Sequence, residues 1–389
     1  MRLAVIGGGL QGLEAAYLAG KAGWEVHLAD RRPVVPAAGL SSSFALADAA
    51  DPESLDGALS GVDCLLPAFE DLPALEVLAQ WAAHRDLPLA FDLEAYRVTR
   101  SKKASHGLFE RLGLALPKAW PGCAFPVLAK PDASSGSRGV RVFEHEPSLR
   151  GWLESPEGPK DPCAWVLQEF LSGPSFSIEV LGRPGAYRPL QVTELAMDAG
   201  YDCKRVRAPG LLAAHHADRL ARAAVSLAEA LRLRGLMDLE AILHDDALTM
   251  LEIDARLPSQ TPIAVFWSTG YNMVEVLVQL FRSDAPPPGL PSGGPRRSVI
   301  LEHVHAHDGL LEVSGEHVLV GRPPMRVFTD FFGADEAISD YEAGKSDWAA
   351  TLITTGSDRR EAQCRREAVM AAIRRSCGLG RLRDPEPAL

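Results

Sequence analysis

Cysteine is scarce and scattered: Cys64, Cys123, Cys163, Cys203, Cys364 and Cys377 make six in 389 residues, with no C-x-x-C pair. This excludes a disulfide-stapled scaffold and a metal site built on paired thiolates, and is expected of a protein kept in a reducing cytoplasm. Long apolar runs are missing too. No stretch approaches the roughly 18 to 20 residues a helix needs to cross a bilayer, and Met1-Arg2-Leu3-Ala4-Val5-Ile6 reads as a short strand, not a signal segment. Nor is there an excess of positive charge. A formal net charge of -11 argues against nucleic acid or an anionic membrane as principal partner, while a local basic site can still hold phosphates. Small-molecule chemistry fits better. With 389 residues and 47% hydrophobic side chains, two or three domains with sizeable cores are expected.

What the chain does have is an unusual strand. In Leu251-Glu252-Ile253-Asp254-Ala255-Arg256-Leu257, charged and apolar residues alternate, so Glu252, Asp254 and Arg256 share one face while the apolar residues pack the other. Three charges aimed one way from a buried strand call for a ligand. Upstream, Met237-Asp238-Leu239-Glu240-Ala241-Ile242 repeats the alternation, and the turn His244-Asp245-Asp246 folds one strand onto the other, bringing Glu240 beside Glu252. Carboxylates with no thiolate or imidazole in line form a hard-oxygen site suited to Mg2+. The alternative is a sheet whose solvated face happens to be charged.

The first hundred residues read as a parallel α/β layer. Strand 2–6, the turn Gly7-Gly8-Gly9-Leu10-Gln11-Gly12, helix Leu13 to Ala22 and strand Glu25 to Ala29 form a βαβ opening, with Asp30 placed 21 residues after Gly9. A strand at Val62 to Pro67, a helix at Leu72 to His84 and a short strand at Leu89 to Phe91 follow. Next come helix 101–112, strand 126–130, the Gly/Ser loop 132–139 and strand 140–143. We expect a hairpin of Trp165 to Phe170 with Ser175 to Leu181, a strand at Leu190 to Glu194 and a helix at Ala217 to Leu233. The Pro/Gly-rich segment 283–297 leads to a last section that ends in a basic helix, 359–375, and a frayed tail. Domains are expected at 1–97, 98–290 and 291–389.

Lys130 leaves an apolar strand for Asp132-Ala133-Ser134-Ser135-Gly136-Ser137-Arg138-Gly139, a small polar loop whose amides can approach phosphate oxygens. Its other reading is a plain hairpin loop. Lys102 starts a helix, and Gln168-Glu169-Phe170-Leu171 has the form of a strand leaving into a hinge. Taken in order, Lys102, Lys130 with its loop, this hinge, and Glu240 with Glu252-x-Asp254-x-Arg256 form a series that resembles the ATP-grasp enzymes over roughly residues 98–285. The resemblance implies an α/β and α+β protein, an ATP-grasp fold preceded by a parallel, Rossmann-like α/β domain. It also implies that Lys102 and Lys130 touch the phosphates of ATP, Ser134, Ser135 and Gly136 cover them, and Gln168, Glu169, Phe170 and Leu171 meet the adenine. Glu240, Glu252 and Asp254 would hold Mg2+. Asp254 stands where such enzymes commonly carry Asn, which keeps an oxygen ligand and adds negative charge.

A narrower likeness runs through Leu251 to Pro262, Trp267-Ser268-Thr269-Gly270, Asn272-Met273-Val274-Glu275, Tyr201 to Val206, Gly8 to Gly12 and Ser175 to Val180. These segments resemble the pyrrolysine-pathway ligases that join the carboxyl of 3-methyl-D-ornithine to the ε-amine of L-lysine with ATP. Gly9 departs from a lysine associated with that family. The likeness implies catalytic roles for Lys130, Arg205 and Arg256, and substrate contacts from Ser177, Glu179, Arg205 and Ser259. For lysine recognition, Glu70 is the candidate, with Leu10 and Gln11. The small-molecule partners are then L-lysine, 3-methyl-D-ornithine and ATP, with no nucleic acid and no membrane, and the oligomeric state is left open.

Three other readings stay open on the sequence. One is an ATP-grasp ligase for a different amino-acid pair. Another is a nicotinamide-dependent oxidoreductase founded on Gly7-x-Gly9-x-x-Gly12 and Asp30, and the last is a noncatalytic sensor on the same fold. His303, His305 and His307 share a strand face and are a candidate for a transition metal or for ordinary hydrogen bonding. Cys203, beside Lys204 and Arg205, has either a lowered thiol pKa or a packing role.

Overall fold

The computed structural model describes residues 1–134, 136–283, 285–291 and 297–387. Ser135, one of the residues expected over the phosphates, lies outside them. The opening is βαβ, with parallel strands β1 (Arg2–Ile6) and β2 (Glu25–Asp30) flanking helix α1 (Leu10–Lys21). The helix begins at Leu10, not Leu13, and carries Gly12 in its first turn. A Cβ at Gly12 would stand 2.0 Å from the Gly7 carbonyl oxygen, so only glycine allows this close approach of helix and strand. Strand β3 (Ser43–Leu46), helix α2 (Pro52–Ala58), strand β4 (Cys64–Pro67) and helix α3 (Leu72–His84) complete a parallel sheet ordered β3-β2-β1-β4. The segment Leu89 to Phe91 forms only a single bridge, Leu89 to Leu65, because Pro88 has no N–H to start a ladder.

Helices α4 (Leu93–Thr99) and α5 (Lys102–Arg111) are capped by Asp92 and Ser101, whose side chains accept from Ala95 N and Ala104 N. Strands β5 (Val127–Pro131) and β6 (Arg141–Phe143), helix α6 (Glu146–Leu153) and strand β7 (Trp165–Glu169) follow, with a three-stranded sheet ordered β6-β5-β7. Strand β8 (Ser175–Arg183) does not fold back on β7, which corrects the expected hairpin. β7 pairs with β5, and β8 enters a different sheet. The break is at Gly173, at φ 151, where a Cβ would meet the Leu243 carbonyl at 2.1 Å, and at Pro174, which has no N–H to donate.

The sheet that β8 enters also holds β9 (Ala186–Pro189), β10 (Thr193–Met197), β11 (Cys203–Ala208) and, after helix α7 (Ala214–Leu231), the hairpin of β12 (Gly235–His244) with β13 (Ala247–Asp254). Asp245 and Asp246, at φ 47 and 60, supply the two left-handed residues that a tight hairpin turn requires. Helices α8 (Thr261–Thr269) and α9 (Met273–Arg282) precede β14 (Ser298–His307), β15 (Leu310–Val313), β16 (Arg326–Phe331), β17 (Ala334–Ser339), β18 (Trp348–Gly356), helix α10 (Arg359–Ser376) and β19 (Arg381–Arg383). β14 pairs with β11, so the strands after residue 290 continue the central sheet as β13-β12-β8-β10-β11-β14-β18-β17-β16.

That sheet is covered on both faces. Leu195, Val206 and Leu301 pack with Ile263 of α8 and Val274 of α9, and this core is continuous with Leu18 of α1. On the opposite face Phe176, Ile178 and Leu239 meet Leu220 and Leu227 of α7, and Val304 and Leu352 meet Val369 and Met370 of α10. Each fully buried Leu or Ile contributes about 1.5–3 kcal/mol. No described helix is long and apolar enough to cross a membrane.

Candidate active site

Strand register assembles the acids. Glu252 lies opposite Glu240, Asp254 opposite Asp238, Asp238 opposite Glu179, and Glu240 opposite Ser177. Cross-strand partners share a face, so all six project toward the α8 side of the sheet. Burial is uneven: Ser177, Glu179 and Asp238 are buried at the base, and Glu240, Glu252 and Asp254 reach further out. Burial, together with the charges of Glu252 and Asp254, pushes Glu240 up to about 8, and burial pushes Asp254 to about 6 against the pull of Arg256. Burial lifts Glu179 to about 7 against the pull of the nearby Thr261 hydroxyl.

Two lysines meet one of these acids. Lys102 Nζ is 3.4 Å and Lys130 Nζ 3.5 Å from Glu252 Oε2. Burial would raise Glu252, but Lys130 and Lys102 outweigh it and hold the carboxyl at about 2. Burial keeps the Lys130 ammonium below its ordinary value in spite of Glu252. Capping at Ser101 aims Lys102: its hydroxyl also donates to Asp132, whose carboxylate accepts Lys103 N, tying the start of α5 to the end of β5. Lys102 Nζ in turn donates to the Ser134 carbonyl.

Two cavities open on this point. The smaller, of about 220 Å3, runs from Lys130 and Glu240 to the strand end Gln168, Glu169, Phe170 and Leu171, closed by Met197 and Tyr201. The larger, of about 1000 Å3, takes in Gly136, Asp254, Arg256 and Ser259, and reaches Leu10, Gln11 and Glu70 of the N-terminal layer. Lys102, Ser134 and Glu252 line both. Hence most of the residues singled out in the sequence are brought together, from three separate sheets.

In the larger cavity Arg256 bridges the layers. Its Nε stands 2.9 Å from Glu70 Oε1, an ion pair without hydrogen-bond alignment, and its guanidinium donates to Asp254 at 3.1 Å. Gln11 donates to the same Glu70 oxygen at 2.7 Å. Glu316, from the 3-10 turn Glu316–Leu319, is raised by burial and accepts from Gln260 at 3.1 Å. Nothing in the sequence singles out Glu316, because its partner Gln260 is 56 residues away along the chain. Asp238, by contrast, sits in the alternating strand and was legible as a fourth acid.

Several expectations are corrected here. Arg205 faces away from the acids: the register Ser177 to Thr193 and Leu195 to Val206 puts Val206 on their face and Arg205 on the α10 side. There it is buried and bonded to Glu302 at 2.9 Å. Arg205 lines neither cavity. Ser177 and Glu179 also lie beneath the cavity walls, not in them. Asp30, the candidate ribose ligand, is fully engaged by Gly8 N at 2.7 Å and by Arg32 N, Nε and Nη2 at 2.8–3.0 Å. Burial would raise it, but the bonds from Arg32 and Gly8 hold it below its ordinary value. No oxygen of it remains for a dinucleotide. His303 is buried against Thr351, while His305 meets Asp347 and His307 meets Glu312, so the three have separate partners. The Cys203 thiol is pushed well above its ordinary value by burial, which favours packing over reactivity.

Whether these residues fit a divalent cation can be judged from their charge. Glu240 and Asp254 are raised by burial and by crowding with Glu252, which is the signature of carboxylates short of positive charge. An all-oxygen set of this kind suits Mg2+. The three carboxylates are not drawn into one tight group. Among the described residues, sets with ligand atoms within 4.8 Å of one another are His215, His216, Asp246 and Asp198, Asp202, His317.

The layer contact carries a titration of its own. Glu14 of α1 accepts from Ile263 N at 2.7 Å, and burial pushes it up to about 8 from an ordinary 4.5. A folded carboxyl that keeps its proton to higher pH than the unfolded one stabilises the fold below about 4.5, and that stability is lost as pH rises through about 8. We therefore expect the melting temperature of the ligand-free protein to fall between pH 5 and 8.5. Glu14→Gln, which keeps the acceptor, should flatten that fall, and an unchanged slope in the variant would refute the assignment.

Comparison with known proteins agrees with this architecture. Residues 101–260 match the ATP-grasp domain family. The structure superposes with a TM-score of 0.73 on the biotin carboxylase domain of 2-oxoglutarate carboxylase from Hydrogenobacter thermophilus, solved with MgADP, at 14% identity and covering 95% of this chain and 89% of that one. Fold and site together define an ATP-grasp enzyme, an ATP-dependent carboxylate–amine ligase. Over 93% of its length the chain is 32% identical to the 3-methyl-D-ornithine–L-lysine ligase of Methanosarcina acetivorans, covering 94% of it. It is 31% identical to the ligase of that name from Methanosarcina mazei, over 97% of this chain and 96% of that protein. The chain belongs to the family of these ligases.

Proposed function

We propose that the protein condenses the carboxyl of 3-methyl-D-ornithine with the ε-amine of L-lysine, consuming ATP through an acyl phosphate. The observation that carries this reading is the meeting of the two cavities at Lys102, Ser134 and Glu252. The smaller cavity takes the nucleotide, its adenine at Gln168 to Leu171, and presents the terminal phosphate at the junction. Both amino acids occupy the larger cavity. Its acidic lining, Glu70, Asp254 and Glu316, suits two substrates that carry amines.

In the first step a carboxylate oxygen of the acid attacks the terminal phosphorus, forming the acyl phosphate and releasing ADP. Lys102 and Lys130 offset charge on the transferring group. Glu240, Glu252 and Asp254 would hold Mg2+, which when bound would supply charge withdrawal at the phosphates. In the second step the neutral amine attacks the acyl carbon, and phosphate leaves. Arg256 is the cation beside the acyl oxygen. The proton lost by the ammonium passes to an acid that lines the larger cavity, of which Glu316 is raised by burial. Holding amine and acyl phosphate together contributes on the order of 7–11 kcal/mol. Six free cysteines support a reducing, cytoplasmic setting.

The test is mass spectrometry with phosphate release, using the purified protein, Mg-ATP, L-lysine and 3-methyl-D-ornithine, with D-ornithine as a second acid. An amide product formed with equimolar ADP and phosphate supports the assignment. Turnover only with other amino acids would remove the substrate pair and keep the chemistry, and no turnover with any amino acid would remove both.

A further inference from the structure

The described residues after Arg375, up to 387, do not fray. From α10 the chain returns as β19, parallel to β15. β15 and β11 lie end to end along one edge of β14, β11 against Val299 to Glu302 and β15 against Val304 to His307. β19 therefore delivers residue 384 to the start of β11. There the Asp384 carboxylate lies 2.7 Å from Lys204 Nζ, 2.5 Å from Arg205 and 2.9 Å from Arg366. Lys204 also donates to the Pro385 carbonyl.

These contacts answer a charge problem. The Lys204 side chain is 0% exposed, and an ammonium buried without a counter-ion costs several kcal/mol. Arg205 and Arg366 already share Glu302, at 2.9 and 2.8 Å. With Lys204 the group holds three cations against one acid, and Asp384 supplies a second. Burial would raise Asp384, but Lys204 and Arg205 outweigh it and hold the carboxyl at about 2, so the latch stays charged throughout the physiological range. Three residues further on, Pro387 forms part of the wall of the smaller cavity, with Met197, Tyr201 and the strand end at Gln168. The chain thus passes from the α10 side of the sheet to the acid-bearing side within four residues.

We propose that residues 384–387 are a latched wall of the nucleotide cavity, with Asp384 a positioning residue that holds Pro387 against the bound nucleotide. The Asp384 latch closes one side of the cavity and slows nucleotide release. This rests on the assignment of the smaller cavity to ATP, and two measurements on the full chain separate the two ideas. In hydrogen exchange on the unaltered protein, MgADP should slow the amides of 381–384 and of Glu386. In titration, Asp384→Asn should weaken MgADP binding about tenfold, as expected for loss of a charge-assisted contact, with Asp384→Glu restoring most of it. In turnover the loss should fall on KM for ATP more than on kcat, a split that general destabilisation does not produce.

If MgADP binds while tail exchange is unchanged or faster, or if Asp384→Asn binds it equally or more tightly, the latch is overturned and the nucleotide assignment stands. Tighter binding would mark the tail as a plug. If MgADP does not bind the unaltered protein, both fail. The exchange measurement needs no variant, so a misfolded Asp384→Asn would not leave the proposal unexamined.

Discussion

Glu252→Gln is expected to reduce amide formation by on the order of a thousandfold, the effect of removing one preorganised electrostatic group, with further loss from weakened Mg2+ binding. Among the described residues Glu252 is the one acid that lines both cavities, and it stands between two lysines at 3.4 and 3.5 Å. The amide keeps the shape and removes the charge. Lys130, already held below its ordinary value by burial, then loses the group that does most to raise it. It will be protonated less often at alkaline pH, so the residual activity should fall at lower pH than in the parent. Because the Glu252 side chain is 27% exposed, the stability cost stays near about 1–2 kcal/mol. Phosphate release and product mass at several Mg2+ concentrations check this, and a variant within tenfold of the parent would show that Glu252 is not the pivot of the site.

Arg256→Met should damage both stability and turnover. The guanidinium compensates Asp254 and Glu70 directly and lowers Asp238, which burial has raised well above its ordinary range. Removing one partner from a buried ionic group costs about 3–5 kcal/mol, because the acids left behind lose their counter-charge. Met retains the aliphatic stem, so packing loss is small. Asp254, at about 6 in the parent, should move higher, which shifts the loss of activity on acidification to higher pH. Arg256→Lys is the discriminating variant: an ammonium carries the charge but cannot reach Glu70 and Asp254 with separate nitrogens. Thermal melts together with turnover should show Lys recovering much of the stability and little of the rate. Full recovery of rate would mean that charge alone suffices.

The N-terminal turn illustrates how a local pattern can mislead. Gly7-x-Gly9-x-x-Gly12 followed by Asp30 has the spacing of a dinucleotide site, and the βαβ unit does form. Yet Arg32, two residues beyond, occupies the acid, and Gly8 N takes what remains. The pattern specified the backbone and not the ligand. Arg205 shows the converse. Its neighbours in sequence look catalytic, but a strand alternates faces at every residue, and only the pairing of β8, β10 and β11 decides which face it takes.

By itself the sequence determined the elements whose signals are local. The period-two alternation of β12 and β13 placed Glu240 opposite Glu252, and the two-aspartate turn set that register. Lys102 at a capped helix start, Lys130 at a strand end and the break after Phe170 were equally legible, since capping, strand alternation and the limits of Gly and Pro act within a few residues. Only the tertiary structure decided what depends on distant partners. It separated β7 from β8 into two sheets, carried the later strands onto the central sheet, and brought Glu316 to the cavity. It also fixed residues 381–387, through one carboxylate that a buried Lys204 requires. The reason is physical: backbone hydrogen bonding and side-chain period are written in neighbouring residues, whereas compensation of buried charge is settled between residues that meet only when the chain is folded.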